Sequence, residues 1–246
     1  MKKVFYVLVI LIYSLSGCKD NKLTNPIIEE AGHFTSMTGT LLHWRLGKGY
    51  SILLVVTDGS IYNNSFKTLT ATSIDTNGSF SLTNLSAPPD TFLKKVEYPT
   101  FGSDLTVKEN TLKCSNLNAK TGYGSLSIVN DTTDMAVAGV YRLNFFHGDF
   151  YRKTELEKAG EFVTSFIYSN SDYSYTGRVK YEYGDPHISI TTVLNYNLSY
   201  KVGWNSFVTC LVLRTIEQTA DKMIVTEEYS FTNKEPGAAD WYYITF

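Results

Sequence analysis

The chain is poor in cysteine and proline and has no excess of charge of either sign. Its 246 residues include three cysteines and six prolines, and 22 Lys and Arg residues stand against 24 Asp and Glu residues. The formal charge of −2 supplies no basic field for nucleic acid, so we predict no nucleic-acid partner. No Cys-x-x-Cys pair occurs and the four histidines are scattered, which excludes the common zinc motifs. We predict no metal and no cofactor.

Recognisable catalytic motifs are also missing. The sequence contains no Gly-x-Ser-x-Gly, His-Glu-x-x-His, Walker loop or dinucleotide fingerprint. A glycosidase would need two carboxylates that face each other, and the sequence cannot bring any two of its candidates together: Asp149, Glu155, Glu227 and Glu228. The turn Asp75-Thr76-Asn77-Gly78 lacks the later glutamate of a calcium loop, which favours a plain turn. We therefore predict that the protein is not an enzyme.

Aromatic residues, in contrast, are abundant, with 18 Tyr and 14 Phe. Tyr, Phe, Thr and Val favour pleated strands, and short alternating runs separated by turn residues recur along the chain. The clearest run covers residues 173–183, where the tyrosines share one face and the charged residues share the other. The turn Gly184-Asp185-Pro186 then predicts a hairpin with a second aromatic strand that ends at Tyr200.

The first 18 residues have the pattern of an export signal. Two lysines precede an apolar run over residues 4–13, which is too short to span a membrane. The following Leu15-Ser16-Gly17-Cys18 resembles a bacterial lipobox, which implies cleavage before Cys18 and a lipid on that residue. We expect a signal peptide over residues 1–17, a lipidated tether over residues 18–32, and membrane attachment through Cys18. The pair Lys19-Asp20 partly matches an export signal of Gram-negative lipoproteins, so the expected location is the outer membrane, on its periplasmic or its cell-surface face.

Two cysteines remain once Cys18 is assigned to the lipid. Outside the cytoplasm, Cys114 and Cys210 would be in an oxidising compartment, where they could form a disulfide; two buried free thiols are the other interpretation.

The rest of the chain divides into two β-rich segments. Residues 33–93 contain about four short strands. The strand pattern of this segment stops at Pro88-Pro89, because proline has no N–H to donate to a neighbouring strand. Residues 94–119 have a weaker pattern and are predicted to be a connection. Residues 120–246 again have a strong strand pattern. The predicted fold class is all-β: a small β-sandwich followed by a larger antiparallel β domain.

Two groups of residues resemble known families. The order Thr38-Gly39-Thr40, Trp44, Ile74-Asp75-x-Asn77-Gly78-x-Phe80-x-Leu82 and Pro88-Pro89 resembles prealbumin-like, or carboxypeptidase-regulatory-like, sandwich modules. That resemblance implies a module that accompanies other domains and rarely holds an active site. The stretch Leu198-Ser199-Tyr200-x-x-Gly203-Trp204-Asn205 resembles a set of uncharacterised exported bacterial proteins and implies architecture only.

Exposed aromatic side chains could stack on sugar rings, and the candidates are Trp44, Trp204, Trp241 and the tyrosines of residues 173–183. Burial in the core is the other interpretation, and alternation favours it for the tyrosines. We interpret the chain as a lipid-anchored cell-envelope protein with a non-enzymatic binding or structural role, whose partner is a polysaccharide or an envelope protein. The alternatives are a hydrolase that acts on a surface polysaccharide and an assembly subunit that pairs through a sheet edge.

Overall fold

A computed structural model describes residues 32–57, 66–100, 102, 104–145 and 155–245. The predicted signal peptide, Cys18 and Asp149 lie outside the described residues, as does all of the tether except Gly32. The described chain forms strands and one 3-10 turn at Asp90–Phe92, so the all-β prediction is confirmed. Among these residues, no helix is long and apolar enough to cross a membrane.

The strands follow one another with short turns between most of them. In chain order they are β1 His33–Phe34, β2 Met37–Thr40, β3 Tyr50–Thr57, β4 Phe66–Ser73, β5 Ser79–Leu82, β6 Lys94–Lys95, β7 Thr106–Asn110, β8 Lys113–Cys114, β9 Lys120–Asn130, β10 Ala136–Leu143, β11 Phe162–Ser169, β12 Tyr173–Gly184, β13 Ile188–Tyr200, β14 Gly203–Gln218, β15 Met223–Thr232 and β16 Asp240–Thr245.

Fourteen of these strands form one mixed sheet, and β2 and β5 form a separate two-stranded sheet. The main order is β4-β3-β9-β10-β11-β14-β15-β13-β12-β7, with β1, β6, β8 and β16 paired at its sides. The expected antiparallel pairing has an exception, since β13 and β15 are parallel. The cause is that β15 lies between β13 and β14, which run in opposite directions, so it must be parallel to one of them.

Strands from both predicted segments contribute to the large sheet. Strand β3 pairs with β9, and β1 pairs with β14. The small sheet of β2 and β5 packs onto the large one through Met37 and Leu82, which belong to the same core cluster as Ile52, Trp204 and Trp241. The predicted boundaries at residues 93 and 120 stay a prediction, and strand pairs cross them.

The predicted hairpin after Tyr183 is confirmed. Strands β12 and β13 pair without interruption from Tyr173 opposite Tyr200 to Gly184 opposite Ser189. At the turn, the Asp185 carboxylate accepts hydrogen bonds from the backbone N–H groups of His187 and Ile188, at 2.7 and 2.9 Å. Along β12 the predicted inward face is buried at Tyr173 and becomes exposed at Tyr183.

The predicted turn before β5 is also present. One carboxylate oxygen of Asp75 accepts hydrogen bonds from the backbone N–H groups of Asn77 and Ser79, both at 2.8 Å. Gly78 has a φ of +85°, a conformation that suits glycine, and a side chain there would collide with Trp44. The turn therefore has its own hydrogen bonds and packing.

A buried ion pair fastens the segment before β16 to the sheet. Arg142 on β10 donates from Nε and Nη2 to the two carboxylate oxygens of Glu235, at 2.6 and 2.8 Å. Thr164 on β11 donates a third hydrogen bond to Glu235, at 2.8 Å. The guanidinium carbon lies 5.3 Å from the ring centroid of Trp241, so the cation also contacts an aromatic face.

Candidate functional site

All three tryptophans contact other parts of the protein, and two of them are buried. Trp204 and Trp241 are only 2% and 3% exposed, and the Trp204 indole donates to the Ser86 carbonyl at 3.1 Å. Trp44 is partly buried and makes edge contacts with Tyr50 and Tyr243. The structure therefore offers no open ring face at Trp204 or Trp241 for the stacking that the sequence suggested, because both rings fill the core.

A continuous row of rings instead crosses one face of the large sheet. The centroid distances are 5.6 Å from Phe207 to Phe231, 4.6 Å from Phe231 to Tyr196, 6.4 Å from Tyr196 to Tyr175 and 6.0 Å from Tyr175 to Tyr98. We call these five residues the aromatic row. Its members come from β14, β15, β13, β12 and the loop before β7, so strands distant in sequence build it together.

Strand register explains why these rings meet. Phe231 lies opposite both Tyr196 and Thr209, and Phe207 is two residues before Thr209. Tyr175 lies opposite Leu198, two residues after Tyr196. Directly opposed residues share a face, and alternate residues of a strand return to it. The register thus places the strand members of the row on one face.

The rings of the row cover one another. Phe231 is stacked between Phe207 and Tyr196, with interplanar angles of 10° and 23°. A second stack, Tyr173 on Tyr200 at 4.5 Å, is buried beside the row. A sugar ring would stack on an open aromatic face, and both faces of Phe231 are already covered by its two neighbours.

Tyr123 on β9 is more exposed than any member of the aromatic row. Tyr123 lies opposite Ile167 of β11, and Ile167 in turn lies opposite Asn205 of β14. Asn205 is two residues before Phe207, so all of these side chains, Tyr123 included, are on the face of the aromatic row. The residue is 63% exposed, yet burial raises the pKa of its hydroxyl. Burial also raises the pKa of Tyr196 to about 12, with the phenols of Tyr181 and Tyr123 as further causes.

Charged and polar groups continue the same face along β15. Phe231, Tyr229 and Glu227 follow at alternate positions. Arg214 on β14 is opposite Glu227, with 3.2 Å between its Nε and the carboxylate, and the Tyr229 hydroxyl donates to the other carboxylate oxygen at 3.1 Å. Burial, followed by the charge of Glu227, raises the pKa of Tyr229 to about 12. We call Arg214, Glu227 and Tyr229 the polar end.

The carboxylates considered for catalysis do not come together in the described residues. Glu227 and Glu228 are consecutive on β15, so their side chains point to opposite faces. Glu228 accepts a hydrogen bond from the Asn195 amide at 2.7 Å on the other face. Glu155 lies in the loop before β11, and Asp149 is outside the described residues. Nor does the described part of the chain contain a group of three His, Cys, Asp or Glu residues able to hold a metal ion.

Cys114 and Cys210 are free thiols in this structure. Cys114 lies on β8 opposite Tyr175 of β12, whereas Cys210 lies on β14 between Phe162 and Ser230. Strands β12, β13 and β15 separate β8 from β14, and each step across a sheet is about 4.8 Å. A disulfide requires Cα atoms within about 7 Å, so a bridge between these two cysteines would need another arrangement of these strands.

Sequence reasoning identified the tyrosines of β12 but not their partners Tyr123, Phe207 and Phe231. Period-two alternation marks the apolar face of each strand, but it does not say which strands are neighbours. No protein-family model, curated protein or solved structure matches this chain.

Proposed function

We propose that this chain is a non-enzymatic binding protein of the cell envelope, and that the face carrying Tyr123 and the polar end binds a polysaccharide. The observation that supports this best is the exposed Tyr123 side chain on the same sheet face as a half-buried carboxylate and guanidinium. Sugar rings present C–H groups that pack on an aromatic ring and hydroxyls that bind charged and polar side chains. In this proposal the polysaccharide runs along the face. Tyr123, level with Asn205 of β14, supplies a ring for one sugar residue, and Arg214, Glu227 and Tyr229 supply hydrogen bonds to others; Arg214 lies nine residues beyond Asn205, or roughly 30 Å.

Binding fits this face better than hydrolysis. Glycosidases use two carboxylates about 5–10 Å apart on either side of the scissile bond. Glu227 is held by Arg214 and Tyr229, while Glu228 points to the opposite face. Glu227 is therefore a single carboxylate that already has two partners. It can accept a hydrogen bond from a sugar hydroxyl, but it does not form the acid and base pair that hydrolysis requires.

A glycan array that includes bacterial envelope polysaccharides tests the binding. We expect Tyr123→Ala to weaken binding of the best glycan about tenfold, equivalent to about 1.4 kcal/mol, because it removes the exposed ring. The matched control is Phe66→Ala, which removes an aromatic side chain that is 69% exposed on the distant edge strand β4. Equal losses in the two variants, or no binding to any glycan, would contradict the proposal.

The proposal includes export by residues 1–17 and attachment to the outer membrane through a lipid on Cys18. We expect Cys18→Ala to abolish incorporation of labelled fatty acid and to leave the precursor unprocessed, because cleavage follows lipid transfer in proteins with a lipobox. Unchanged processing and membrane retention would refute the anchor. Protease treatment of intact cells then distinguishes the cell-surface face from the periplasmic face.

The proposal also keeps the architecture that the resemblance implies: a small prealbumin-like β-sandwich over residues 33–93, a connection over 94–119 and a larger β domain over 120–246. Strands β2 to β5 all fall within the first segment. Limited proteolysis tests the division. Two stable fragments separated within residues 94–119 would support it. A chain that is either intact or fully degraded would contradict it, since the β3–β9 and β1–β14 pairs would then join the segments into one unit.

A further inference from the structure

Among the described strands, none pairs with the outer edge of β14 over its C-terminal half, and we call this stretch the bare edge. The pairing of β14 with β11 ends at Phe162 opposite Cys210, and no described strand replaces β11 beyond that point. Residues 212–218 are all exposed, and Ile216 is 59% exposed although it is a large apolar side chain. Natural proteins usually protect such edges, because unpaired backbone groups bind other strands.

Hydrogen bonds at the end of β11 show which residues direct their backbone groups to this edge. The Leu211 N–H donates to the Glu161 carbonyl, and the Leu211 carbonyl accepts from the Gly160 N–H. Leu211 therefore faces the β11 side, and backbone direction alternates along a strand. The bulge between Leu211 and Leu213 inserts one extra residue and shifts this alternation. Beyond the bulge, the residues that face the bare edge are Arg214, Ile216 and Gln218.

We propose that the bare edge of β14 pairs antiparallel with the same edge of a second copy of this chain, about a two-fold axis at Ile216. The N–H and C=O groups of Ile216 would bond to those of its copy, and Arg214 would pair with Gln218 of the copy. Thr215 would lie opposite Glu217 of the copy. The two large sheets would then be continuous across the dimer.

Side-chain complementarity favours a second copy in this register. With the axis at Ile216, the two Ile216 side chains lie opposite each other, and the Arg214 guanidinium lies beside the Gln218 amide oxygen of the copy. The Thr215 hydroxyl lies beside the Glu217 carboxylate of the copy, and no like charges are opposed. An axis at Arg214 would oppose two guanidinium groups. An axis at Gln218, the last residue of β14, would leave Arg214 and Ile216 without an opposing β14 residue in the copy.

The first described strand pairs with the other end of β14. Strand β1 pairs with β14 at Trp204 and Asn205. Ile216 lies twelve residues further along β14 than Trp204, or roughly 40 Å. The chain therefore enters the sheet at the opposite end of β14. Seven edge residues on each side make a small interface, so the dimer is expected to depend on protein concentration.

Sedimentation velocity of the full chain in detergent, over a wide range of concentration, tests the proposal. We expect a reversible shift from monomer to dimer. Ile216→Pro should weaken association about tenfold or more, because it removes an outward N–H without removing a hydrogen bond to β15. If the proline variant fails to fold, Ile216→Lys replaces it in the experiment and should also weaken association, because it places two lysines opposite each other at the axis. Ile216→Val is the matched control and should retain association. A monomer at every concentration, or a dimer insensitive to both blocking variants, would overturn the proposal.

Amide hydrogen exchange gives a second, residue-level readout. At low concentration the amides of Arg214, Ile216 and Gln218 should exchange quickly, while those of Thr215 and Glu217 are protected by β15. At high concentration the first three should become protected. Dimerisation without this alternating change would place the interface elsewhere and refute the inference.

Discussion

Removal of one member of the Arg142–Glu235 pair should destabilise the protein strongly. The Arg142 and Glu235 side chains are 3% and 9% exposed, and they share two short hydrogen bonds. Arg142→Met leaves the carboxylate with the Thr164 hydroxyl as its remaining described partner and removes the cation from Trp241. Breaking a buried pair in this way costs about 3–5 kcal/mol, because the remaining charge is left desolvated. Since whole domains are stable by about 5–15 kcal/mol, this is a large fraction of the total.

Urea unfolding monitored by tryptophan fluorescence provides the assay, since Trp241 is in contact with Arg142. The double variant Arg142→Met with Glu235→Met should recover most of the lost stability, because neither charge remains buried. Lys108→Met provides the control. It removes an exposed ion pair with Glu182 and should change stability by about 1 kcal/mol or less. If Arg142→Met costs no more than the control, or if the double variant is as unstable as the sum of the single ones, the buried pair does not hold this segment as described.

Three further predictions follow from packing and burial. Gly124→Ala should cost about 1–3 kcal/mol, because a Cβ there would lie 2.6 Å from the buried Trp204 ring, whereas Gly237→Ala, which meets no atom within 4 Å, should be nearly neutral in the same urea assay. Tyr196 keeps its proton more tightly in the folded state, so its contribution to stability is complete below pH 10 and should be lost as pH rises toward 12; phenolate absorbance that titrates in step with unfolding would agree, and titration in its usual range would not. Cys114 and Cys210 should both react with an alkylating reagent under non-reducing denaturing conditions, and recovery of a bridged peptide would show that the strands are arranged differently.

Local features of the fold were predictable from sequence because their causes are local. The hairpin of β12 and β13 follows from two alternating strands joined by a turn. In that turn the Asp185 side chain accepts hydrogen bonds from the backbone N–H groups two and three positions further on. The turn after β4 likewise follows from Asp75 and Gly78. In both cases the residues that specify the structure lie within a few positions of one another.

Features that depend on strand order were not predictable. Nothing local indicates that β15 lies between β13 and β14, and the predicted antiparallel domain therefore lacked its parallel pair. The aromatic row depends on the same order, because Phe231 meets Tyr196 and Phe207 only when β15 is in the middle. Arg142 and Glu235 are 93 residues apart, and nothing in the residues around either one distinguishes it from a charged residue on the surface.

The position of β15 has a consequence for the order in which the chain can fold. Strand β15 completes the sheet by filling a gap between two strands that are synthesised earlier. Its ten residues pair with residues 188–197 of β13 on one side and with residues 208–218 of β14 on the other. Before residue 232 has emerged, β13 and β14 each keep an unpaired edge, and the core lacks Trp241. The sheet therefore keeps two open strand edges until β15 has paired. Holding chaperones are therefore expected to bind the nascent chain throughout synthesis, and a chain that stops short of β15 is expected to aggregate rather than to fold into a smaller protein.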